Sequence, residues 1–136
     1  MTIERINPAE IFDTTRLGFP TVVASRRGRT IYTGSVAFDK EMQIVGAGDL
    51  RAQLRKTLEN IRVALATAGA SPADVVHMRM YVVNLQSDNR FAILDAIKEF
   101  YGHGPAGTNT LIGIQGLARP ELMVEIEVVA VTDDAL

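Results

Sequence analysis

Apolar positions in this chain follow two periods, and each change of period marks a change of element. Between Asp49 and Gly69, apolar residues recur at three- and four-residue spacing: Leu50, Leu54, Leu58, Ile61, Leu65 and Ala68. That spacing gathers them into one stripe of an α-helix. Asp49 is placed to cap the start of this helix and Gly69 to close its end. Ser71-Pro-Ala-Asp74 has the capping-box pattern with Pro at the first helical position, which predicts one short turn. From Val75 to Val83 the period drops to two. Val76, Met78, Met80 and Val82 then face one way, and His77, Arg79, Tyr81 and Val83 the other. Ser87-Asp-Asn caps a second helix carrying Phe91, Leu94, Ile97 and Tyr101, and Gly102-His-Gly-Pro stops it.

The two ends of the chain are β-branched and punctuated by glycine. Thr21–Ser25 and Thr30–Phe38 predict a hairpin turned at Gly28, and Gln43-Ile-Val a short third strand ended by Gly46-Ala-Gly48. A terminal hairpin is predicted from the strand after Pro105-Ala-Gly and the strand beginning at Met123. In the last strand, Val124, Ile126, Val128 and Ala130 would pack beneath the helices. Met123, Glu125, Glu127, Val129 and Val131 would take the other face. Strands, helix, strand, helix, strands predict an α+β layer, with two helices on one face of a mixed sheet. The second face is half apolar and half charged, which points to burial against other copies of the chain.

Composition narrows the function classes. The 136 residues make one domain, 1–136, long enough to bury a core without staples. Cysteine is absent, so disulfides, thiolate nucleophiles and thiolate metal sites are excluded. A net charge of −2 provides no general field to attract nucleic acid. The first residues lack the apolar run of a signal peptide, and no stretch approaches a membrane span, so a cytoplasmic protein is expected. His77 and His103 lie on different elements without a carboxylate at ligand spacing, so no metal site is expected. Gly46-Ala-Gly48 lacks the lysine and full pattern of a phosphate loop.

Several segments, in order, resemble one family. They are Tyr32-Thr-Gly-Ser, the helix from Gln53 to Gly69 with Leu58-Glu-Asn-Ile, and Ala68-Gly-Ala-Ser-Pro-Ala-Asp-Val-Val. Then come Tyr81-Val-Val-Asn-Leu, Phe91-Ala-Ile-Leu-Asp and Val124-Glu-Ile-Glu-Val-Val-Ala. From about Gly18 to Val131 the chain resembles the Rid (YjgF-type) enamine/imine deaminases. The resemblance implies a chorismate-mutase-like fold and a homotrimer whose sheets enclose a barrel, with ligand pockets between subunits. It implies hydrolysis of reactive enamines and imines to carbonyl compounds and ammonia, and it calls for no cofactor. Members are sometimes labelled endoribonucleases, but this chain offers neither a histidine pair nor an aromatic-basic platform for RNA.

Carried over residue by residue, the resemblance places the water-positioning carboxylate at Glu125. It places the small hydroxyl at Thr33, an aromatic of the pocket at Phe19, and Asp95 where an asparagine is common. The family's carboxylate-binding arginine has no counterpart. Counting back from Leu117 puts Asn109 at its place, and counting forward from Pro105 puts Gly107 there. Asparagine can donate a hydrogen bond but has no charge and no fork. Losing a bidentate ion pair costs a carboxylate substrate about 2–5 kcal/mol. A neutral or differently placed substrate is therefore favoured. Arg119, in the turn Leu117-Ala-Arg-Pro, is either a solvated turn residue or a substitute charge reaching a neighbour's pocket; Arg16 and Arg79 are weaker candidates. Glu127 is expected to pair with Arg79. The readings left open are imine hydrolysis, small-ligand binding without turnover, and deamination of a specialised catabolic intermediate.

Overall fold

The computed structural model describes residues 3–10 and 13–133. The long apolar stripe forms α1, Leu50–Thr67, with the Asp49 carboxylate accepting from the Ala52 amide. Its end is a Schellman closure. Gly69 takes φ 78°, its amide reaches the Ala66 carbonyl, and the Ala70 amide reaches back to Leu65. The second helix, α2, spans Arg90–Tyr101. Its buried stripe is Ile93, Ile97, Phe100 and Tyr101, whereas Phe91, expected inside, lies exposed. The periodicity was correct but its phase was set by the wrong aromatic.

Among the described residues, six strands follow the chain order: β1 (Ile3–Ile6), β2 (Val22–Ser25), β3 (Arg29–Val36), β4 (Val75–Val83), β5 (Thr108–Ile114) and β6 (Val124–Thr132). The main sheet has the order β3-β6-β4-β5, while β1 and β2 form a separate antiparallel ribbon. The α+β layer is therefore as expected, but both predicted hairpins are absent. β2 pairs with β1, Ile3 opposite Ser25, and β3 pairs with β6, Arg29 opposite Thr132. β5 runs parallel to β4 after the α2 crossover, and the 115–123 connection carries the chain past β4 so that β6 enters between β3 and β4. Burial explains this choice. Val124, Ile126, Val128 and Ala130 are fully buried or nearly so, which suits a central strand flanked on both sides. The expected third strand is only a bridge between Phe38 and Ile44. At Val75/His77 the β4–β6 ladder shifts register, so Val75 rather than Val76 enters the core. Val131, expected on the open face, is also buried.

Gln53 and Thr57 are completely buried on α1 amid the apolar stripe. The Gln53 amide donates to the carbonyls of Gly46 and Glu121, and its oxygen accepts from the Met123 amide. One side chain thus ties α1 to the chain just before β6, fixing where β6 begins.

Candidate functional site

The two helices and the core occupy one face of the sheet; the other face is open in the isolated chain. Glu125 and Glu127 are on β6, opposite Tyr81 and Arg79 of β4 and opposite Val36 and Gly34 of β3. All lie on the open face. The two carboxylates differ sharply in their surroundings. Glu127 Oε1 accepts from the Tyr81 hydroxyl at 2.6 Å and from Arg79 Nη1 at 3.0 Å, so the expected Arg79 pair is formed. These partners, the Tyr81 hydroxyl foremost, hold the Glu127 carboxyl below the usual carboxylate range. Glu125 is half-buried and, among the described residues, accepts no hydrogen bond and forms no ion pair.

Beside this pair the sheet opens into a hollow of ≈ 460 Å³, walled by Tyr32, Thr33, Gly34, His77, Arg79 and Glu127. His77 Nδ1 lies 2.8 Å from Thr108 Oγ1, and that hydroxyl donates to the Val76 carbonyl at 3.2 Å. Burial pushes the His77 imidazole below its usual 6.5, helped by the Arg79 charge and opposed by Glu127. For both His77 and Glu127 the folded chain binds a proton less readily than the unfolded one. Their contribution to stability is thus full above the unfolded values, 6.5 and 4.5, and is lost as pH falls through the lower folded values. Thermal unfolding should therefore be insensitive to these groups above pH 6.5 and show a falling Tm below it. His77→Gln should remove the earlier part of that fall, and an unchanged acid profile in this variant would contradict the assignment.

The other expected site residues lie elsewhere in the chain. Asn109 is opposite Met78, whose side chain is in the core, so Asn109 belongs to the helix-covered side of β5. Its Oδ1 is buried without a partner. Gly107 packs against β4 so closely that a Cβ would sit 2.6 Å from the Val76 carbonyl carbon. Phe19 lines a different hollow with Arg5 and Asn7, where Arg5 Nε donates to the Ala106 carbonyl at 2.7 Å. Asp95 is exposed on α2 and ion-paired with Arg51 at 2.9 Å in the groove between the helices. Arg119 lies over the Phe38 ring and 3.7 Å from Glu121. Thr33 is opposite Val128 of the core face, so it lies on the helix-covered side of β3, whereas Glu125 is opposite Val36 on the open face. The His77–Arg79–Tyr81–Glu127 cluster was missed as a site. Alternation places its members on one face and the Arg79–Glu127 pair is the expected one; the hollow that His77 and Tyr81 form with it has no local signature. Among the described residues, no group of three or more His, Asp or Glu is arranged to hold a metal ion, and no helix is long and apolar enough to cross a membrane.

Comparisons with known proteins show the family and the fold. Residues 18–132 match the family model described as Endoribonuclease L-PSP. A Yersinia pestis protein, YyfB, described as a protein of unknown function of the conserved Rid family, is 41% identical. The match covers 97% of this chain and 100% of that one, with a TM-score of 0.93. A Mycobacterium tuberculosis member of the YjgF/YER057c/UK114 family is 25% identical over 96% of this chain and 99% of its own, with a TM-score of 0.63. YyfA, also from Yersinia pestis, shares the fold at 20% identity and a TM-score of 0.69, over 85% of this chain and 88% of that one.

Proposed function

The chain belongs to the Rid family, whose model carries the endoribonuclease L-PSP description, and from that premise we propose that it binds a small imine or enamine and hydrolyses it. The carrying observation is the contrast on β6. Glu127 is tied to Arg79 and Tyr81, while the Glu125 carboxylate stands uncommitted on the same face. An imine carbon is electrophilic, so hydrolysis needs a placed water, a proton acceptor and a held substrate. Glu125 accepts a proton from the water as its oxygen bonds to the imine carbon, and a proton is returned to the nitrogen to give the carbinolamine; its C–N bond then breaks as the hydroxyl proton passes through Glu125 to the nitrogen, releasing ammonia and a carbonyl compound. The site is completed between copies of the chain in a homotrimer, which would bring Thr33, Phe19, Asp95 or Arg119 of neighbouring copies toward Glu125. The exposed Tyr32 ring and the mixed open face support such an assembly. The protein works in the cytoplasm on a small molecule, without cofactor, membrane or nucleic acid.

A second reading is favoured by one observation. Gly107 has no room for any side chain, and Asn109 supplies no charge, so neither position grips a carboxylate as an arginine would. The same cleft would then bind a ligand without turning it over, or take an unusual catabolic intermediate. The test is ammonia release from an imine generated in the assay, with Glu125→Ala beside it. Release by the wild type and its loss in the variant support hydrolysis. Full activity in the variant overturns the role of Glu125, and ligand binding without release supports the second reading.

A further inference from the structure

The groove between α1 and α2 opens away from the sheet, on the far side of the helices from the face where copies of the chain are proposed to meet. Exposed arginines of α1 form one rim, and Asp95 and Glu99 of α2 form the other. The floor is apolar. Ala92 and Ala96, one turn apart on α2, leave a notch of ≈ 40 Å³ against Leu58 and Phe100, room for about one small aliphatic group. The three arginines differ in how far they are committed. Arg62 Nη2 donates to the Phe100 carbonyl at 2.8 Å and the Glu99 carbonyl at 3.2 Å, and the guanidinium lies 5.1 Å from the Phe100 ring centre, so it is a fixed wall. Arg51 pairs with Asp95 at 2.9 Å, but the two side chains are 55% and 62% exposed, so exchanging that partner costs little. Arg55 shares their face of α1 and, among the described residues, forms no ion pair or hydrogen bond.

We propose that this groove docks a short acidic segment of a partner protein, which sets one aliphatic side chain in the notch and its carboxylates against Arg55 and Arg51. Length argues for a segment rather than a small anion. Arg51 to Arg62 spans about 16 Å of helix at roughly 1.5 Å per residue, more than one carboxylate or phosphate reaches. Charge argues for acidic residues along the α1 rim, where Asp95 already shows a carboxylate held by Arg51. A partner carboxylate takes the place of Asp95 on Arg51, so Asp95 competes with docking. Asp95 is thereby assigned to this groove and not to the cleft beside Glu125. The Glu99 carboxylate has no partner among the described residues and selects a lysine at the other edge of the segment.

The test uses the full chain labelled with ¹⁵N at arginine and the capped peptide Ac-Ala-Glu-Ala-Ala-Leu-Glu-Ala-Lys-Ala-amide. The peptide should shift the Arg55 Nε–H signal saturably. Forms with glutamine for both glutamates, or alanine for the leucine, should bind roughly tenfold or more weakly, and Arg55→Ala should weaken binding of the parent peptide by a similar factor. Arg55 is an exposed helix residue, so Arg55→Ala should melt with the wild type. Asp95→Ala should strengthen peptide binding about two- to fivefold, which a merely structural ion pair would not do. Glu125→Gln should leave peptide binding unchanged, so docking and the hydrolytic reading fail or survive separately. No saturable shift at Arg55, equal binding of the acidic and glutamine peptides, weaker binding to Asp95→Ala, or tighter binding of inorganic phosphate or a short oligonucleotide than of the peptide would overturn the proposal.

Discussion

Gly107→Arg, the obvious way to restore the missing arginine, is expected to cost about 3 kcal/mol and lower the Tm by roughly 10 °C. A Cβ at this position would sit 2.6 Å from the Val76 carbonyl carbon and 2.8 Å from both the His77 nitrogen and the Val75 oxygen. All three are backbone atoms of β4, so no rotamer change can relieve the contact. The first residues of β5 would have to leave β4. Thr108 would follow, and with it the bond that holds His77. Asn109→Arg should cost much less, because Asn109 is on an edge strand, is partly exposed, and loses only a carbonyl oxygen that has no partner. Thermal melts of the two variants check this. A Gly107→Arg protein melting with the wild type would show that the close approach does not exist.

Glu125→Gln is expected to lower ammonia release by roughly 10²–10⁴-fold, the range that a placed general base supplies. The same change should leave stability within about 0.5 kcal/mol, because among the described residues the Glu125 carboxylate makes no hydrogen bond or ion pair to lose. Glu127→Gln should do the reverse. It removes the charge that Arg79 faces and weakens the bond from the Tyr81 hydroxyl, so stability falls first. Parallel rates and melts on the two variants separate a reacting carboxylate from a structural one. Equal effects of both on both readouts would contradict the division of roles.

The helices were legible because their signals are local. Leu54, Leu58, Ile61 and Leu65 state a period, and Asp49 and Gly69 state its ends. The alternation on β4 and β6 was equally local and correctly separated the core face from the open one, apart from the shift at Val75 and the burial of Val131. Strand order was not legible. Gly28 and the 115–123 connection look like hairpin turns, yet the strands they join have other neighbours. Pairing is decided by which strand must be buried on both sides, a property of the whole sheet. The site shows the same split. The Arg79–Glu127 pair could be read from alternation, but the role of Gln53 could not. A fully buried glutamine in a leucine stripe has a purpose only when Gly46, Glu121 and Met123 converge on it. The close approach of Gly107 to the β4 backbone likewise has no local signature.

The central claim is a Rid scaffold whose grip on a carboxylate has been altered, and one ratio tests it most directly. The measurement is kcat/KM for ammonia release from 2-iminobutanoate relative to an imine of similar size without the carboxylate. With no arginine at either Gly107 or Asn109, a preference below about tenfold for the carboxylate imine is expected. A bidentate ion pair contributing about 2–5 kcal/mol would produce a preference of roughly 30- to several-thousand-fold. A ratio in that range would show that an arginine reaches the substrate after all and would contradict the claim.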